Sequence, residues 1–380
     1  MSLIDNRKYV NVLSREAESE MPVRGGVSGA VISVNGKTGV VELTAEDVGA
    51  MPLLKAIEGE LVLNDEKLCG NNTFSGQTFI TSVNAPNVKW AYLPDVFLNC
   101  KGITEIKGFD KVESGRFANT FKGCVSLTTL DENIFSKMTG GGGLYDSVFS
   151  HTFDGCASLK RIPSRMFESI RTLGKYMFEY TFANTGLEEI PSGLFANIVD
   201  DDTTGYRNDY AFQYVFRNTK ITAIPEGLFD NLVEGGFYEF QQCFQNCLDL
   251  TTIPKYLFKN ITGYNPNDGS YGDWCFSACF SYCPNLEGEL EFSSLVRVGV
   301  NYFSSAFSET KLTSISFPAL RSDSFAHATS NSFNYMLGRV NGCTVHFPSN
   351  VQSVIGSWSS VTSGFGGTNT TVLFDLPATE

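Results

Sequence analysis

One repeated phrase constrains this chain more than any other feature. It reads Phe117-x3-Phe121-x2-Cys124-x2-Leu127-x2-Leu130 and returns as Phe149, Phe153, Cys156, Leu159, Ile162. Further copies run Phe178, Phe182, Thr185, Leu187, Ile190, then Phe212, Phe216, Thr219, Ile221, Ile224, then Phe240, Phe244, Cys247, Leu250, Ile253. Two later copies begin Phe276, Phe280, Cys283, Leu286 and Phe303, Phe307, Thr310, Leu312, and a shortened first copy reads Phe97, Cys100, Ile103, Ile106. Every copy with Cys has two residues before the next apolar position, and every copy with Thr has one. That coupling holds in all eight copies, so Cys and Thr occupy one structural site with two loop geometries. Self-similarity of this kind marks a solenoid, here from about Leu93 to Leu320.

The spacing Phe, Phe+4, Cys+7 places three side chains on one side of a short helical turn or two. The apolar pair that follows is stopped by Pro in the middle copies, as in Ile162-Pro163, Ile190-Pro191, Ile224-Pro225 and Ile253-Pro254, which suits a brief strand. A second apolar run after each Pro (Met166-Phe167, Leu194-Phe195, Leu228-Phe229, Leu257-Phe258) reads as another helical turn. One rung cannot bury such a face alone, so neighbouring rungs must share a continuous core. Each buried Phe contributes roughly 2–3 kcal/mol, and the ladder Phe121, Phe153, Phe182, Phe216, Phe244, Phe280 and Phe307 is expected to dominate stability.

The phrase Phe-x2-Cys-x2-Leu-x2-Ile-Pro resembles the BspA-type leucine-rich repeat, found in bacterial surface proteins and many phage-encoded proteins. The resemblance implies an α/β repeat solenoid with short strands and short helices, and binding or display rather than a chemistry. Rungs 24 to 36 residues apart are longer and less regular than the family norm, which predicts loops thrown out between rungs.

Residues 1–26 carry charges throughout and no apolar run of signal-peptide length, so they are expected to be an attachment arm rather than a secretory signal. In residues 27–52, Val31, Ile32 and Val34 lead into Asn35-Gly36, and Val40, Val41 and Leu43 lead out, the strongest short hairpin cue. The phrase SVNGKTGVVELTAEDVGA resembles a module near the N-terminus of tailed-phage fibre proteins. That resemblance implies a small β-hairpin module, a homotrimer, and contacts with other virion proteins through residues 1–52. Residues 53–92 read as a connector or N-terminal cap, with strands at Leu61–Leu63 and Phe79–Thr81. Residues 93–320 form the solenoid, and 321–380 a C-terminal cap in which Thr329 and Met336 replace repeat residues.

A net charge of −13 leaves no basic stripe to neutralise phosphates, which excludes nucleic acid as the expected partner. No window is long enough to span a bilayer. Ten cysteines invite a disulfide or zinc reading, but no Cys-x2-Cys pair exists and His151, His327 and His346 lack ligand spacing. Reduced, packed thiols with no metal and no cofactor are expected. No catalytic set emerges, although scattered carboxylates leave a glycan-cleaving spike as an alternative.

Two inter-rung insertions, Asp200–Tyr210 and Gly263–Trp274, are rich in Tyr, Gly, Asn and Asp, a composition like that of paratope loops. Tyr206, Tyr264, Tyr271, Trp274, Asp200 and Asp202 are the receptor-contact candidates. Tyr210 and Trp274 also recur with Tyr176 and Tyr238 six residues before a ladder Phe, which places them partly in the core. A calcium ion on Asp200–Asp202 competes with a solvated loop. The expected function is a virion-surface fibre or spike of a tailed phage that binds a host glycan or protein and performs no catalysis. A head fibre or decoration protein, or a bacterial surface adhesin, is the alternative.

Overall fold

The computed structural model describes residues 41–43, 54–57, 59–139, 146–199, 208–263 and 272–379. The attachment arm and most of the Asn35-Gly36 hairpin lie outside them. Strand β1 (Val41–Leu43) is described, and its partner is β2 (Leu54–Ile57), antiparallel. β2 turns back antiparallel into β3 (Glu60–Leu63), and from there every pairing is parallel. One sheet orders β1-β2-β3-β5-β7-β9, adding β5 (Ser82–Ala85), β7 (Glu105–Gly108) and β9 (Thr129–Leu130). A second holds β4 (Lys67–Cys69), β6 (Trp90–Tyr92) and β8 (Ser114–Arg116). The last holds β10 (Glu287–Glu291), β11 (Lys311–Ser316), β12 (Thr344–Pro348) and β13 (Thr371–Leu376). The strand expected at Phe79–Thr81 thus forms three residues later, as β5.

Between β9 and β10 the strand face thins to one or two backbone hydrogen bonds per rung. Ser158 donates to Val125, Glu188 to Lys160, Lys220 to Leu187, Thr251 to Thr222, and Glu287 to Thr251. Short rungs with a Pro after the strand leave little room for a longer ladder.

The core is three parallel columns of phenylalanine. The first runs Phe117, Phe149, Phe178, Phe212, Phe240, Phe276, Phe303, Phe333, with near-parallel rings 5.2–6.1 Å apart. The second, from Phe74 through Phe97 and Phe121 to Phe307, has spacings of 5.1–6.0 Å. The third runs Phe167, Phe195, Phe229, Phe258, Phe292, Phe317, Phe347, Phe374 and meets the first edge-on, as at Phe258–Phe276. Edge-to-face contact between columns and offset stacking within them are the favoured aromatic geometries. Of the 31 Phe residues, 28 are buried. The columns run past residues 93 and 320 at both ends, since Phe74 stacks on Phe97 and Phe333, Phe347 and Phe374 continue the far side.

The expected short helices of the repeat are not helices. Among the described residues the only α-helices are α1 (Gln352–Ile355) and α2 (Ser359–Thr362), both beyond the repeat phrases. Each Phe-x3-Phe segment is instead a run of β-turns with a left-handed residue at every fourth position, such as Tyr176, Tyr180, Asn184 and Tyr210, Tyr214, Asn218. Left-handed residues interrupt an α-helical ladder. The backbone amides then alternate in use: Phe117, Asn119 and Phe121 donate to the next rung, while Thr120, Lys122 and Cys124 close their own turns. The turn face is therefore hydrogen-bonded from rung to rung much as the strand face is.

The Cys/Thr coupling has a direct cause. Cys100, Cys124, Cys156, Cys247 and Cys283 each donate Sγ–H to the ladder-Phe carbonyl of the preceding rung, at 2.8–3.3 Å. Thr185, Thr219 and Thr310 donate instead to the Phe of their own copy, three residues back, at 2.8–2.9 Å. A side chain that bridges rungs and one that closes its own turn leave the chain in different places, hence the one-residue difference in the loop that follows.

Candidate functional site

The left-handed positions of the turn face point their side chains outward, and stacking brings like positions together. Relative to the first Phe of each copy these positions are −2, +2 and +6, and each makes a column. The −2 column is Tyr176, Tyr210, Tyr238, Trp274, with rings 4.6, 4.8 and 6.0 Å apart. Lys175 lies over both Tyr176 and Tyr210, at 5.3 and 5.6 Å from the ring centres. The +2 column is His151, Tyr180, Tyr214, with rings 4.4 and 4.1 Å apart, followed by Gln242, whose amide donates to the Tyr214 hydroxyl. Burial, helped by the neighbouring Tyr214, pushes the Tyr180 phenol well above its ordinary range. These rings are half-buried: faces cover one another while edges and hydroxyls meet solvent.

From Asn184 to Asn246 the +6 column is amides. Asn246 donates to Asn218, Asn218 to Asn184, and Asn184 to the carboxylate of Asp154, at 2.7–3.0 Å. Asp154 also contacts Lys122 at 3.0 Å and His151 at 2.8 Å. Burial opposes its charge, but the bonds from His151, Asn184 and Lys122 outweigh burial and hold its pKa below the usual range.

The strand face differs. It carries exposed cross-rung ion pairs, Lys160–Glu188 at 2.8 Å, Lys255–Glu289 at 3.0 Å and Arg161–Glu189 at 3.3 Å. Threonine hydroxyls there donate to the preceding rung, as from Thr104 to Thr81 and Thr251 to Thr222. Those groups are occupied by one another, and pairs so exposed contribute little to stability.

Of the six receptor-contact candidates, Tyr206, Tyr264, Tyr271, Asp200 and Asp202 lie outside the described residues. Trp274 is described and ends the −2 aromatic column. Sequence reasoning recognised that column through its spacing but placed it partly in the core; it lies at the outer surface of the turns, half-buried by self-stacking. The +2 and +6 columns escaped notice, although Tyr-x-Phe at Tyr180 and Tyr214 and Asn at 184, 218 and 246 were their signal. The repeat residues Phe121, Phe153, Phe182, Phe216, Phe244, Phe280 and Phe307 are fully buried.

All ten cysteines are free thiols and only Cys69 is exposed. Burial pushes Cys100 up to about 11 and Cys343 up to about 12, which keeps both unreactive near neutral pH. Among the described residues no three His, Cys, Asp or Glu side chains are placed to share a metal, and no helix is long and apolar enough to cross a membrane.

The repeat matches the model of the BspA type leucine rich repeat region over residues 67–200 and 206–337, in six copies. Comparison with curated proteins gives no match. Among solved structures, a leucine-rich repeat protein from Bacteroides ovatus ATCC 8483 is 16% identical, with 89% of this chain and 99% of that chain covered and a TM-score of 0.29. A leucine rich cell surface protein from Faecalibacterium prausnitzii A2-165 is 15% identical, with 87% and 94% covered and a TM-score of 0.28. Superposition that loose adds nothing to the repeat itself, whose matched spans cover most of the described solenoid. The chain belongs to the BspA-type leucine-rich-repeat family.

Proposed function

We propose that this chain is a recognition protein whose turn face binds a partner on a cell surface. One observation carries the reading. Tyr176, Tyr180, Tyr210, Tyr214, Tyr238, Trp274, Tyr282 and Tyr335 all sit at left-handed backbone positions. Asn or Gly would occupy them with less strain, and the same columns elsewhere do hold Asn119, Asn184, Asn301 and Gly123. A bulky residue held there costs about 1–3 kcal/mol, which ring stacking of about 0.5–1.5 kcal/mol per pair offsets only in part. Rigid, amphipathic aromatics placed at such cost on an outer surface suit contact with a partner.

A test follows from the same geometry. Tyr176→Asn, Tyr210→Asn and Tyr238→Asn together relieve strain, so the melting temperature is expected to hold. Binding of labelled full chain to a panel of bacterial cells is expected to fall tenfold or more. Unchanged binding by the triple variant to every cell type that the parent binds would sink the proposal.

The phrase SVNGKTGVVELTAEDVGA favours a more specific version, in which the protein is a tailed-phage fibre or head-decoration protein on the virion surface, attached through residues 1–52 as a homotrimer. A bacterial surface adhesin shares the recognition role without that attachment. Light scattering on the full chain and on residues 53–380 separates them. A trimer that becomes a monomer on truncation supports the virion version, and two monomers overturn it.

A further inference from the structure

The cross-rung hydrogen bonds fix which residues share a column after Trp274. Ala278 donates to Ser304 and Tyr282 to Ser308, and Ser305 donates to Asn334, so Ala278, Ser305 and Tyr335 follow Gln242 in the +2 column. Likewise Asn301 follows Trp274, and Glu309 and Arg339 follow Tyr282. The +2 column is thus large at His151, Tyr180, Tyr214 and Gln242, drops to Ala278 and Ser305, and rises again at Tyr335. The step down lasts two rungs, whose Phe rings are 5.5 Å apart, and the rung of Tyr335 follows 5.7 Å farther on.

We propose that this step is a binding notch for a single pyranose ring, floored by Ala278 and Ser305 and walled by Trp274, Tyr282 and Tyr335. The proposal deepens the reading of the turn face as the binding face and rests on it. Three observations carry it. Tyr335 and Tyr282 are 62% and 48% exposed, and among the described residues neither has a ring stacked on it. Their left-handed backbones (φ 51° and 62°) therefore carry strain with no internal ring contact to offset it, unlike those of Tyr180 and Tyr214. Finally, Gly366 approaches the Tyr335 ring from the C-terminal side so closely that a β-carbon there would lie 2.8 Å from Cδ1. Tyr335 packs against that glycine with most of its ring still open to solvent.

The chemistry selects the occupant. A pyranose presents an apolar C–H face, which packs on an aromatic ring at ordinary contact distance of about 3.5–4 Å, and a rim of hydroxyls. Ser305 and Asn301 supply short polar groups at the floor and side. Arg339 supplies a charge-assisted donor near Tyr335, and the Glu309 carboxylate that it holds at 2.6 Å supplies the acceptor. Apolar walls with a few convergent polar groups are the usual composition of a small-ligand site. The one-ring length of the step suits a terminal or side-branch sugar rather than a chain laid along the solenoid.

Saturation-transfer NMR on the full chain tests this, with the methyl glycosides of glucose, galactose, mannose and N-acetylglucosamine as probes. Ser305→Tyr refills the column with a residue the scaffold already holds at Tyr180 and Tyr214, so the variant is expected to fold. Tyr335→Ala removes the wall instead. Transfer to at least one glycoside is expected with the parent protein and at least tenfold weaker transfer with each variant. No transfer to any probe, or transfer undiminished in Ser305→Tyr, overturns the notch. Cell binding separates this from the broader reading: if Ser305→Tyr binds cells as the parent does while the Tyr176, Tyr210, Tyr238 triple variant does not, the notch falls and the turn-face reading stands.

Discussion

Phe240→Ala tests whether the phenylalanine columns carry the fold as separate, locally acting supports. Phe240 is fully buried and touches four rings, Phe212 at 5.6 Å, Phe229 at 5.0 Å, and Phe258 and Phe276 at 5.2 Å. Phe→Ala in a core costs about 3–5 kcal/mol, more where the walls cannot close on the cavity. Here the walls are rungs tied by backbone hydrogen bonds on both faces, so the upper half of that range is expected. Phe374→Ala is the control. Its ring is only partly buried and among the described residues stacks on Phe347 alone, at 5.7 Å, so about 1–2 kcal/mol is expected. Because solenoid stability is a sum of rung and interface contributions, the Phe240 loss should also be local. Hydrogen exchange read by mass spectrometry should show protection falling between about residues 212 and 276 and persisting at Val83 and Ile106. Equal costs for the two variants, or a uniform loss of protection along the chain, would refute the reasoning.

The remaining predictions concern the outer columns and the thiols. Asn218→Ala should cost about 1–2 kcal/mol, since it breaks two amide bonds and leaves Ala in a left-handed turn, whereas Asn218→Gly should cost less; thermal melts of both variants check the order. Asp154→Asn should show its effect only above acid pH. The Asp154 pKa is depressed in the folded state, so its contribution is present above the unfolded carboxylate value of about 3.9 and lost as pH falls through the folded value. The stability difference between parent and variant should accordingly be constant near neutrality and vanish in acid, as denaturant titrations at several pH values would show. A thiol reagent should label one cysteine, Cys69, in the native protein and all ten after unfolding; fast labelling of a second would mean that a rung opens readily.

The fold was legible because its core repeats in sequence. Phe and Cys/Thr recur at positions that stacking superimposes, and the Cys/Thr loop difference reflects two alternative hydrogen bonds. The local conformation was not legible from the same phrase. A run of turns with a four-residue period and a helix with 3.6 residues per turn both place Phe, Phe+4 and Cys+7 on one side. What separates them is the residue between the two Phe, where Asn119, Tyr180 or Tyr214 is left-handed, and Tyr there gives no warning. The outer columns were only half legible because each depends on cross-rung register. Tyr180 and Tyr214 are 34 residues apart, and insertions of variable length hide the alignment until the rungs are stacked. The step at Ala278 and Ser305 is harder still, since it is defined by small residues where neighbouring rungs have large ones.

The amide chain from Asn246 to Asp154 gives the solenoid a polarity with a consequence for its length. Every donor points toward the N-terminal rung, and the chain ends on a carboxylate that accepts from three sides. A duplicated middle rung would bring its own asparagine, its own three phenylalanines and its own outward tyrosine, and would slot between its neighbours with each column continued. Rung number is therefore the one dimension along which this protein can change without redesign. Each rung added ahead of Trp274 would carry the distal surface about one ring spacing, 5.2–6.1 Å, farther from the first strands. Copy number therefore sets the distance between the first strands and the last rungs.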